Sequence, residues 1–436
     1  MNFKLKSISL QTTNNKQQTT NNKQQTTNNK QQTTMIDVLI IGGGAAGFFT
    51  AINVAEKYPS ASVVILERGK EFLTKVRISG GGRCNVTHAC FDPKDLVKYY
   101  PRGEKELLGP FHQFCCGDTM GWFEERGVEL KIEDDGRIFP VSDSSQTIID
   151  CFLREAKKYQ VDFRKNHAVK HISKEDAIWH VETSQGILKA NNLVLATGSN
   201  PKIWKLLETL GHTIVPAVPS LFTFNIKDTR IKDLLGIATP ANVKVVDTKL
   251  ESNGPLLITH WGMSGPGILK LSAWGARILA DKNYDFQIEV NWLNDVSPQE
   301  CIELLKDYKI QLAKKIVQKN NPFDLPKRLW QRIVQASKID ENIRWTDVNK
   351  QQTEELANQL TAAIFQVKGK STFKEEFVTA GGIDLKEVNF KTFESKKHQN
   401  LYFAGEILNI DAITGGFNFQ NAWTGSFVIS ETIFNL

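Results

Sequence analysis

The chain has 436 residues, of which 41% are hydrophobic and 23% are charged, a composition typical of a globular protein. Its formal net charge is +6, but the first 34 residues contain five lysines and no acidic residue, so residues 35–436 carry only +1. The overall charge therefore gives no support to a nucleic-acid-binding protein, and we expect no nucleic-acid partner.

Residues 11–34 repeat the heptad Gln-Thr-Thr-Asn-Asn-Lys-Gln almost without change. Because no heptad position is apolar, the repeat cannot form a coiled coil. We expect residues 1–34 to be a disordered low-complexity tail, with Met35 opening the folded part.

The chain shows no apolar segment long enough for a secretory signal or for a bilayer span. Its six cysteines are too few for a disulfide framework at this length, and neither Cys84 with Cys90 nor the pair Cys115–Cys116 forms a C-x-x-C motif. The eight histidines and six cysteines show no metal-ligand spacing. These features predict a cytoplasmic protein with no membrane partner and no metal.

The folded part opens with a pattern typical of a dinucleotide site. Residues 36–41 form a short apolar run that predicts a buried parallel strand, and Ala45 to Tyr58 predicts a helix that ends before Pro59. Between them, Gly42 permits the tight turn, Gly44 allows a pyrophosphate to approach, and Gly47 allows close packing of helix on strand. The helix N-terminus would then face the phosphates.

A second apolar strand, residues 62–66, ends at Glu67, twenty residues after Gly47. An acid in this position accepts hydrogen bonds from an adenosine ribose. Strands and helices alternate to about residue 200, which predicts a doubly wound α/β domain over residues 35–200. This part of the pattern does not separate FAD from NAD, since both contain adenosine and pyrophosphate.

Residues 75–87 form a glycine-rich loop that follows this region. Ser79 and the glycines after it can line a phosphate or a flavin edge with backbone amides. Arg83 can neutralise a phosphate or an anionic substrate.

The regular alternation of strand and helix patterns stops over residues 201–370, which we interpret as an insertion of mixed strands and helices. Residues 243–246 and 256–259 are strand-like and are separated by Ser252-Asn253-Gly254, which predicts the turn of a hairpin there. Ser297 to Glu300 form a capping box that opens a lysine-rich helical stretch through Ala363. The charges of that stretch are expected to form a solvated face.

Residues 371–436 return to the strand–helix pattern and complete the nucleotide-binding domain. The strand at residues 401–403 is followed by Gly405 and Glu406, whose carboxylate can bind a polyol chain. Thr414-Gly415-Gly416 then opens a helix that runs from about Asn418 to Thr432. The amides at its start can stabilise the negative charge that reduction places on the N1–C2=O side of an isoalloxazine, which favours a flavin.

Five sequence segments resemble the dehydro-bile-acid-reductase-like (BaiN/YhiN-type) family of NAD(P)/FAD-dependent flavoproteins. They are residues 79–87, 136–140, 259–266, 379–383 and 402–420. The resemblance spans residues 35–436 with the motifs in the right order. It implies non-covalent FAD and a Rossmann-like FAD/NAD(P)-binding domain interrupted by a β-barrel-like and a helical insertion.

The same resemblance implies a set of flavin contacts distributed over both parts of the nucleotide-binding domain. These are Gly42, Gly44, Ala45, Ala46, Gly47, Glu67, Arg68, Ser79, Gly80, Arg83, Cys84, Asn85, Val169, Ala196, Thr197, Gly198, Gly405, Glu406, Gly416, Phe417 and Asn418. One departure is visible after Gly198, where relatives have a glycine-rich loop and this chain has the bulkier residues 199–204.

We therefore expect an FAD-dependent oxidoreductase that exchanges a hydride between flavin N5 and a small organic substrate, with NAD(P)H as donor. His260, beside Trp261, is the first candidate for the general acid, and Arg83 is the second. Two alternatives stay open: a flavin-dependent tRNA-modifying enzyme and a flavin-binding redox sensor without turnover.

Overall fold

The computed structural model of the protein describes residues 35–371 and 378–434, so the predicted tail over residues 1–34 lies outside the described residues. Its strands are β1 Ile36–Ile41, β2 Val63–Leu66, β3 Thr87–His88, β4 Leu130–Ile132, β5 Arg137–Pro140, β6 Asp162–Arg164, β7 Val169–Glu175, β8 Ile178–Thr183, β9 Gly186–Leu195, β10 Ile214–Ser220, β11 Thr223–Asn225, β12 Ala238–Val245, β13 Glu251–Ile258, β14 Gly262–Ser264, β15 Asp285–Asn291, β16 Ala363–Lys368, β17 Lys370–Ser371, β18 Val378–Ile383, β19 Val388–Asn389, β20 Glu394–Ser395 and β21 Leu401–Phe403. Its α-helices are α1 Ala45–Lys57, α2 Thr74–Ile78, α3 Pro93–Leu96, α4 Glu104–Phe111, α5 Cys116–Glu124, α6 Ser145–Lys158, α7 Pro201–Thr209, α8 Pro266–Trp274, α9 Ala276–Asp281, α10 Pro298–Gln311, α11 Lys327–Ala336, α12 Lys350–Thr361 and α13 Phe417–Thr432. Within these ranges, no helix is both long and apolar enough to cross a membrane.

The predicted α/β domain is built on a sheet whose parallel centre runs in the order β21-β9-β1-β2-β6. Five of the six residues of β1 are buried, and Val38, Leu39 and Ile40 are completely inaccessible, as the continuous apolar sequence predicts. Helices α1 and α13 pack against each other, so the last helix of the chain lies beside the first. The Rossmann-like fold class is therefore confirmed.

The insertion contains a seven-stranded antiparallel sheet in the order β16-β15-β12-β13-β14-β11-β17, together with helices α10 to α12. Its buried side chains form a core of their own, drawn from residues 222–367. The other core is drawn from residues 36–207 and 383–433, with Ala273 added. The domain boundaries proposed from the sequence stay predictions.

The turn of the predicted hairpin was placed wrongly. Ser252, Asn253 and Gly254 lie inside β13, paired with residues 241–243 of β12, and the chain reverses at residues 246–250 instead. Asp247 adopts a left-handed conformation (φ +60°) in that turn, a role that aspartate tolerates. The close approach of α8 to β13 favours glycine at Gly267, where a Cβ would lie 3.2 Å from the Gly254 carbonyl oxygen.

The lysine-rich stretch is not one helix. The Ser297 capping box opens α10 as predicted, with the Ser297 side chain accepting from the Glu300 amide and Pro298 in the first helical turn. The helix ends at Gln311, and Pro326 and the Asn349 capping box then set the starts of α11 and α12. Strand pairing begins at Ala363, where the helical stretch was expected to end.

A buried ion pair joins the two parts of the molecule. The Arg102 guanidinium binds both carboxylate oxygens of the fully buried Asp411, and both residues precede helices of the nucleotide-binding domain. From the insertion side, Ser220 Oγ donates to Asp411 Oδ2 at 2.7 Å, and the Ala273 carbonyl accepts from Arg102 at 2.8 Å. The pair is thus shared by the nucleotide-binding domain, β10 and α8.

Replacing Arg102 by methionine is expected to lower the free energy of unfolding by about 3–5 kcal/mol, because it leaves the Asp411 carboxylate buried without its cation. Urea denaturation followed by circular dichroism measures the change. Lys105→Met, at an exposed position of α4, is the matched control and should shift stability by less than about 0.5 kcal/mol. A loss below about 1 kcal/mol for Arg102→Met would show that the pair does not tie the two parts together.

Candidate flavin site

The site lies where the parallel strands β2, β1, β9 and β21 end at one edge of the sheet. Backbone hydrogen bonds continue across this edge beyond the strands: Gly42 N donates to Leu66 O at 2.8 Å and Ala196 N donates to Ile41 O at 2.8 Å. Ala404 N likewise donates to Leu195 O at 3.1 Å. The turns that follow the four strands therefore lie side by side, although more than 300 residues of sequence separate β1 from β21.

The β1–α1 turn requires glycine for steric reasons at two positions. At Gly42 (φ +116°) a Cβ would lie 2.3 Å from the Ala196 carbonyl oxygen, and at Gly47 it would lie 1.9 Å from the Gly42 carbonyl oxygen. Gly44 differs, because a Cβ there would meet nothing within 4 Å. Gly44 is also the N-cap of α1, and no side chain caps this helix. Its open, uncapped N-terminus is suited to an anion such as a pyrophosphate.

Glu67 is fixed at the end of β2 by two backbone amides. Its Oε2 accepts from Gly43 N at 3.0 Å and its Oε1 accepts from Gly69 N at 2.7 Å. A carboxylate has lone pairs left for ribose hydroxyls after these two bonds. Arg68, the next residue, is exposed. The backbone amide of His167 donates to the Glu67 carbonyl oxygen, which brings the start of β7 at Val169 close to Glu67.

The turn after β9 contains a buried polar atom that lacks a partner. Thr197 Oγ1 is inaccessible and forms no hydrogen bond with any described residue. Beside it, a Cβ on Gly198 (φ +60°) would lie 3.6 Å from Glu406 Oε2, so the acid from the C-terminal part reaches the turn of the N-terminal part. Glu406 also pairs with Lys75 at 2.5 Å. Because buried hydroxyls are normally satisfied, the orphaned Thr197 hydroxyl indicates a ligand at this turn.

The glycine-rich loop is clamped to the start of α13. Gly80 and Gly81 adopt left-handed conformations, and Asn85 donates its amide nitrogen to Thr87 O while its oxygen accepts from Gly416 N at 3.0 Å. Cys84 is fully buried, and burial raises the pKa of its thiol to about 12. Burial therefore favours the neutral thiol of Cys84, and its predicted contact with the flavin stays a prediction.

Helix α13 begins at Phe417 with no side-chain cap, which leaves its first amides for a ligand. Gly416 (φ +92°) cannot be replaced without strain, since a Cβ would lie 2.5 Å from Thr87 O. Asn418 holds the preceding loop by accepting from Ala412 N at 3.0 Å and donating to Ala412 O at 3.1 Å. Its side chain is thus committed to the loop, and any flavin contact at Asn418 would be made by the backbone.

The two residues predicted to be catalytic lie in different surroundings. Arg83 stacks over the Phe139 ring at 3.8 Å and pairs with Glu133 at 2.6 Å and Asp143 at 3.3 Å. The hydrogen bond that Arg83 donates to Glu133 is the main reason that the pKa of Arg83 is raised. His260 is exposed at the tip of the β13–β14 hairpin. Both assignments stay predictions.

The structure adds a cavity that sequence reasoning missed. It has a volume of about 580 Å³ and is bounded by the nucleotide-binding domain and by α8 of the insertion. Its lining consists of His88, Ala89, Cys90, Asp95, Lys98, Tyr99, Lys270, Trp274 and Ile413. No local motif joins these positions, and only the position of His88 beside the glycine-rich loop could have drawn attention to the place.

Two aromatic residues connect this cavity with the start of α13. The Tyr99 ring stacks on the Phe417 ring with centroids 4.4 Å apart, and His88 Nδ1 lies 3.1 Å from Gly415 O. Burial lowers the pKa of His88 below its ordinary value. The cavity therefore lies against the residues that were predicted to hold the flavin ring.

These residues fit FAD. The uncapped N-terminus of α1 suits the pyrophosphate, Glu67 suits the adenosine ribose, and the orphaned Thr197 hydroxyl with Glu406 suits the chain between phosphate and flavin. The uncapped N-terminus of α13 suits the isoalloxazine.

The model of the family described as HI0933-like protein Rossmann domain matches residues 36–432. The chain belongs to this family. The resemblance seen in the sequence is thereby confirmed, and the HI0933-like chain is an FAD-dependent oxidoreductase.

Relatives of this HI0933-like protein include two of similar length. It is 28% identical to the ribosomal RNA dihydrouridine synthase of Escherichia coli (strain K12), over 91% of this chain and 98% of that one. It is 26% identical to the 3-dehydro-bile acid delta(4,6)-reductase of Clostridium scindens, over 89% of this chain and 97% of that one. Among solved structures, a 3-ketosteroid-delta4-(5alpha)-dehydrogenase from Rhodococcus jostii RHA1 is 12% identical with a TM-score of 0.48, covering 90% of this chain and 96% of that one.

Gly44→Val is expected to abolish flavin retention without unfolding the protein. The new side chain meets no protein atom within 4 Å of its Cβ but occupies the space in front of the α1 amides. The ratio of absorbance at 450 nm to that at 280 nm reports bound flavin, and thermal melting of the flavin-free protein reports the fold. Gly109→Val, at another open glycine on the exposed side of α4, is the matched control and should retain the flavin. A yellow, fully loaded Gly44→Val protein would contradict the assignment of the pyrophosphate site.

Proposed function

We propose that the protein uses FAD to reduce a carbon–carbon double bond conjugated to a carbonyl group, with NAD(P)H as the hydride donor. The observation that carries this proposal is the cavity beside the start of α13, which is lined by proton-carrying side chains. The names of the two relatives support the same chemistry, since dihydrouridine is uridine with a saturated C5–C6 bond and the second enzyme reduces a conjugated bile acid.

Reduction of such a bond needs a hydride on the carbon remote from the carbonyl and a proton on the carbon next to it. Bound FAD supplies the hydride from N5 when it is reduced. The protein must then hold the substrate, exclude water and deliver the proton.

Tyr99 is the side chain that we assign to proton delivery. Tyr99 belongs to the cavity lining, its ring stacks on Phe417, and its backbone carbonyl accepts from Ile413 N at 3.1 Å. His88 is less suited to this role, because Nδ1–H donates to the Gly415 carbonyl and the neutral ring then offers only an acceptor at Nε2. Arg83 and His260 are the alternatives that the sequence favours.

The lining also indicates what kind of substrate the cavity takes. Trp274 is 40% exposed and offers a flat apolar surface, and the exposed Lys270 lies on the same helix. This combination suits a planar substrate that carries a negative charge. A small carboxylated enone meets that description, and so does a uracil base in RNA. The second substrate would agree with the nucleic-acid alternative, which the overall charge disfavoured.

The proposal is tested by reducing the flavin with NADPH or NADH under anaerobic conditions and then adding a 3-keto-4-ene steroid acid or polyuridylic acid. We expect the flavin band at 450 nm to bleach and then to return with one of these oxidants, with a product two mass units heavier than the substrate. A reduced flavin that is reoxidised by oxygen but by neither conjugated compound would contradict the proposal.

Tyr99→Phe is expected to slow reoxidation by the conjugated substrate about 100-fold, because it removes the proton donor but keeps the ring stacked on Phe417. Reduction by NAD(P)H should change less than about twofold. The wild-type rate should stay flat between pH 6 and 8. If the imidazolium of His88 were the acid instead, its lowered pKa would make the rate fall as the pH rises over this range, and Tyr99→Phe would have little effect.

A further inference from the structure

The near-neutral charge of the folded part hides a strong local imbalance. Residues 306–350, which connect α10 to α12, contain eleven lysines and arginines but only five aspartates and glutamates, a net charge of +6. Residues 35–436 as a whole carry +1, so the rest of the folded part is acidic. Charge is therefore segregated onto the helical part of the insertion.

Several of these basic residues are held close together by the backbone. The segment around Ile316 forms a β-bridge with Arg344, and Trp345 N donates to Lys315 O at 2.9 Å. Lys314, Lys315 and Arg344 thus lie on adjacent segments, and all three are exposed. Within the described ranges, none of them forms an ion pair with a carboxylate, and neither do Lys319 and Lys327.

A groove of about 570 Å³ runs beside these lysines. Its lining combines an aromatic ring, side-chain amides and cations: Tyr308, Gln311, Leu312, Lys319, Asn320, Asn321, Pro322, Leu325 and Lys327. Asn321 shapes the groove, because its amide donates to Leu325 O at 2.8 Å and accepts from Phe323 N at 2.9 Å. The Gln311 side chain is exposed, and its amide forms no hydrogen bond with any other described residue.

We propose that this groove and the lysines around it form a docking surface for single-stranded RNA. The cations match the regularly spaced phosphates, the Tyr308 ring can stack on a base, and the amides can bind base edges. An acidic peptide would need the lysines but would have no use for the unpaired amide beside an aromatic ring. As far as the docked RNA is also the substrate, the inference rests on the proposed function.

The surface is tested by fluorescence anisotropy of a labelled uridine-rich 20-nucleotide RNA, titrated with the flavin-loaded protein from 50 to 200 mM salt. The variant Lys315→Glu, Lys319→Glu, Lys327→Glu should lose at least about tenfold in affinity, and its salt dependence should become shallower by about two units of slope. The matched control reverses three exposed lysines elsewhere, Lys170→Glu, Lys249→Glu, Lys391→Glu, and should bind as the wild type does.

Tyr308→Leu separates stacking from charge, because leucine keeps the packing against Phe323 but cannot stack on a base. We expect weaker RNA binding, by about fivefold or more, with an unchanged salt slope. Equal loss in the groove variant and in the control would overturn the proposal, and so would polyglutamate that competes as strongly as the RNA.

Flavin reoxidation tests the proposed function separately from the RNA-binding surface. Reoxidation of the reduced flavin by the small steroid enone should be the same in the groove variant and in the wild type. If the enone or polyuridylic acid reoxidises the flavin but the groove variant still binds RNA normally, the surface is wrong and the function stands. If RNA binding depends on the groove while neither compound reoxidises the flavin, the surface stands and the function is wrong.

Discussion

The parallel pairing of β9 with β1 on one side and with β21 on the other is the constraint on which the site depends. Leu193, Val194 and Leu195 pair with residues of both neighbours, so both strands end level with Leu195. This register places the uncapped helix at Ala45 and the acid at Glu406 on the same edge of the sheet. A one-residue slip of β21 would move each of its side chains to the opposite face of the sheet. The slip would also move Glu406 away from Gly198.

The second constraint is the position of the insertion on the nucleotide-binding domain. The cavity exists only because α8 lies across the segment from His88 to Tyr99, and the shared ion pair of Arg102 and Asp411 holds α8 and β10 there. The cavity thus lies between the nucleotide-binding domain and the insertion, and under the proposed function the first holds the cofactor and the second closes the substrate space. Substrate preference in such an arrangement can change through the insertion while the flavin site is kept.

The sequence predicted the parts of the fold that local physics determines. The β1–α1 turn, the capping box at Ser297 and the start of the last helix were all visible because each is encoded within a few residues. The hairpin turn was misplaced because Ser-Asn-Gly is a turn signal only in isolation. Here residues 252–254 pair with residues 241–243 of β12, and that pairing lies outside the window of residues that a turn rule considers.

The lining of the cavity could not be predicted in the same way. Tyr99, Lys270 and Trp274 come together only through the packing of α8 on another domain, and no spacing in the sequence encodes that contact. Arg83 and His260 were chosen by motif, and the structure adds that Arg83 has two carboxylate partners and that His260 is exposed. The net charge could not locate the basic residues 306–350 for a similar reason, since a sum over 400 residues does not report where the charges lie.

A crystal structure of the protein with FAD bound would test the central claim most directly. The account predicts one FAD per chain, with its pyrophosphate at the Gly44–Ala45 amides, Thr197 Oγ1 within hydrogen-bond distance of the cofactor, and the isoalloxazine between the first amides of α13 and the cavity of Tyr99. A flavin ring outside that cavity, or a cofactor that touches only one of the two distant parts of the chain, would contradict it.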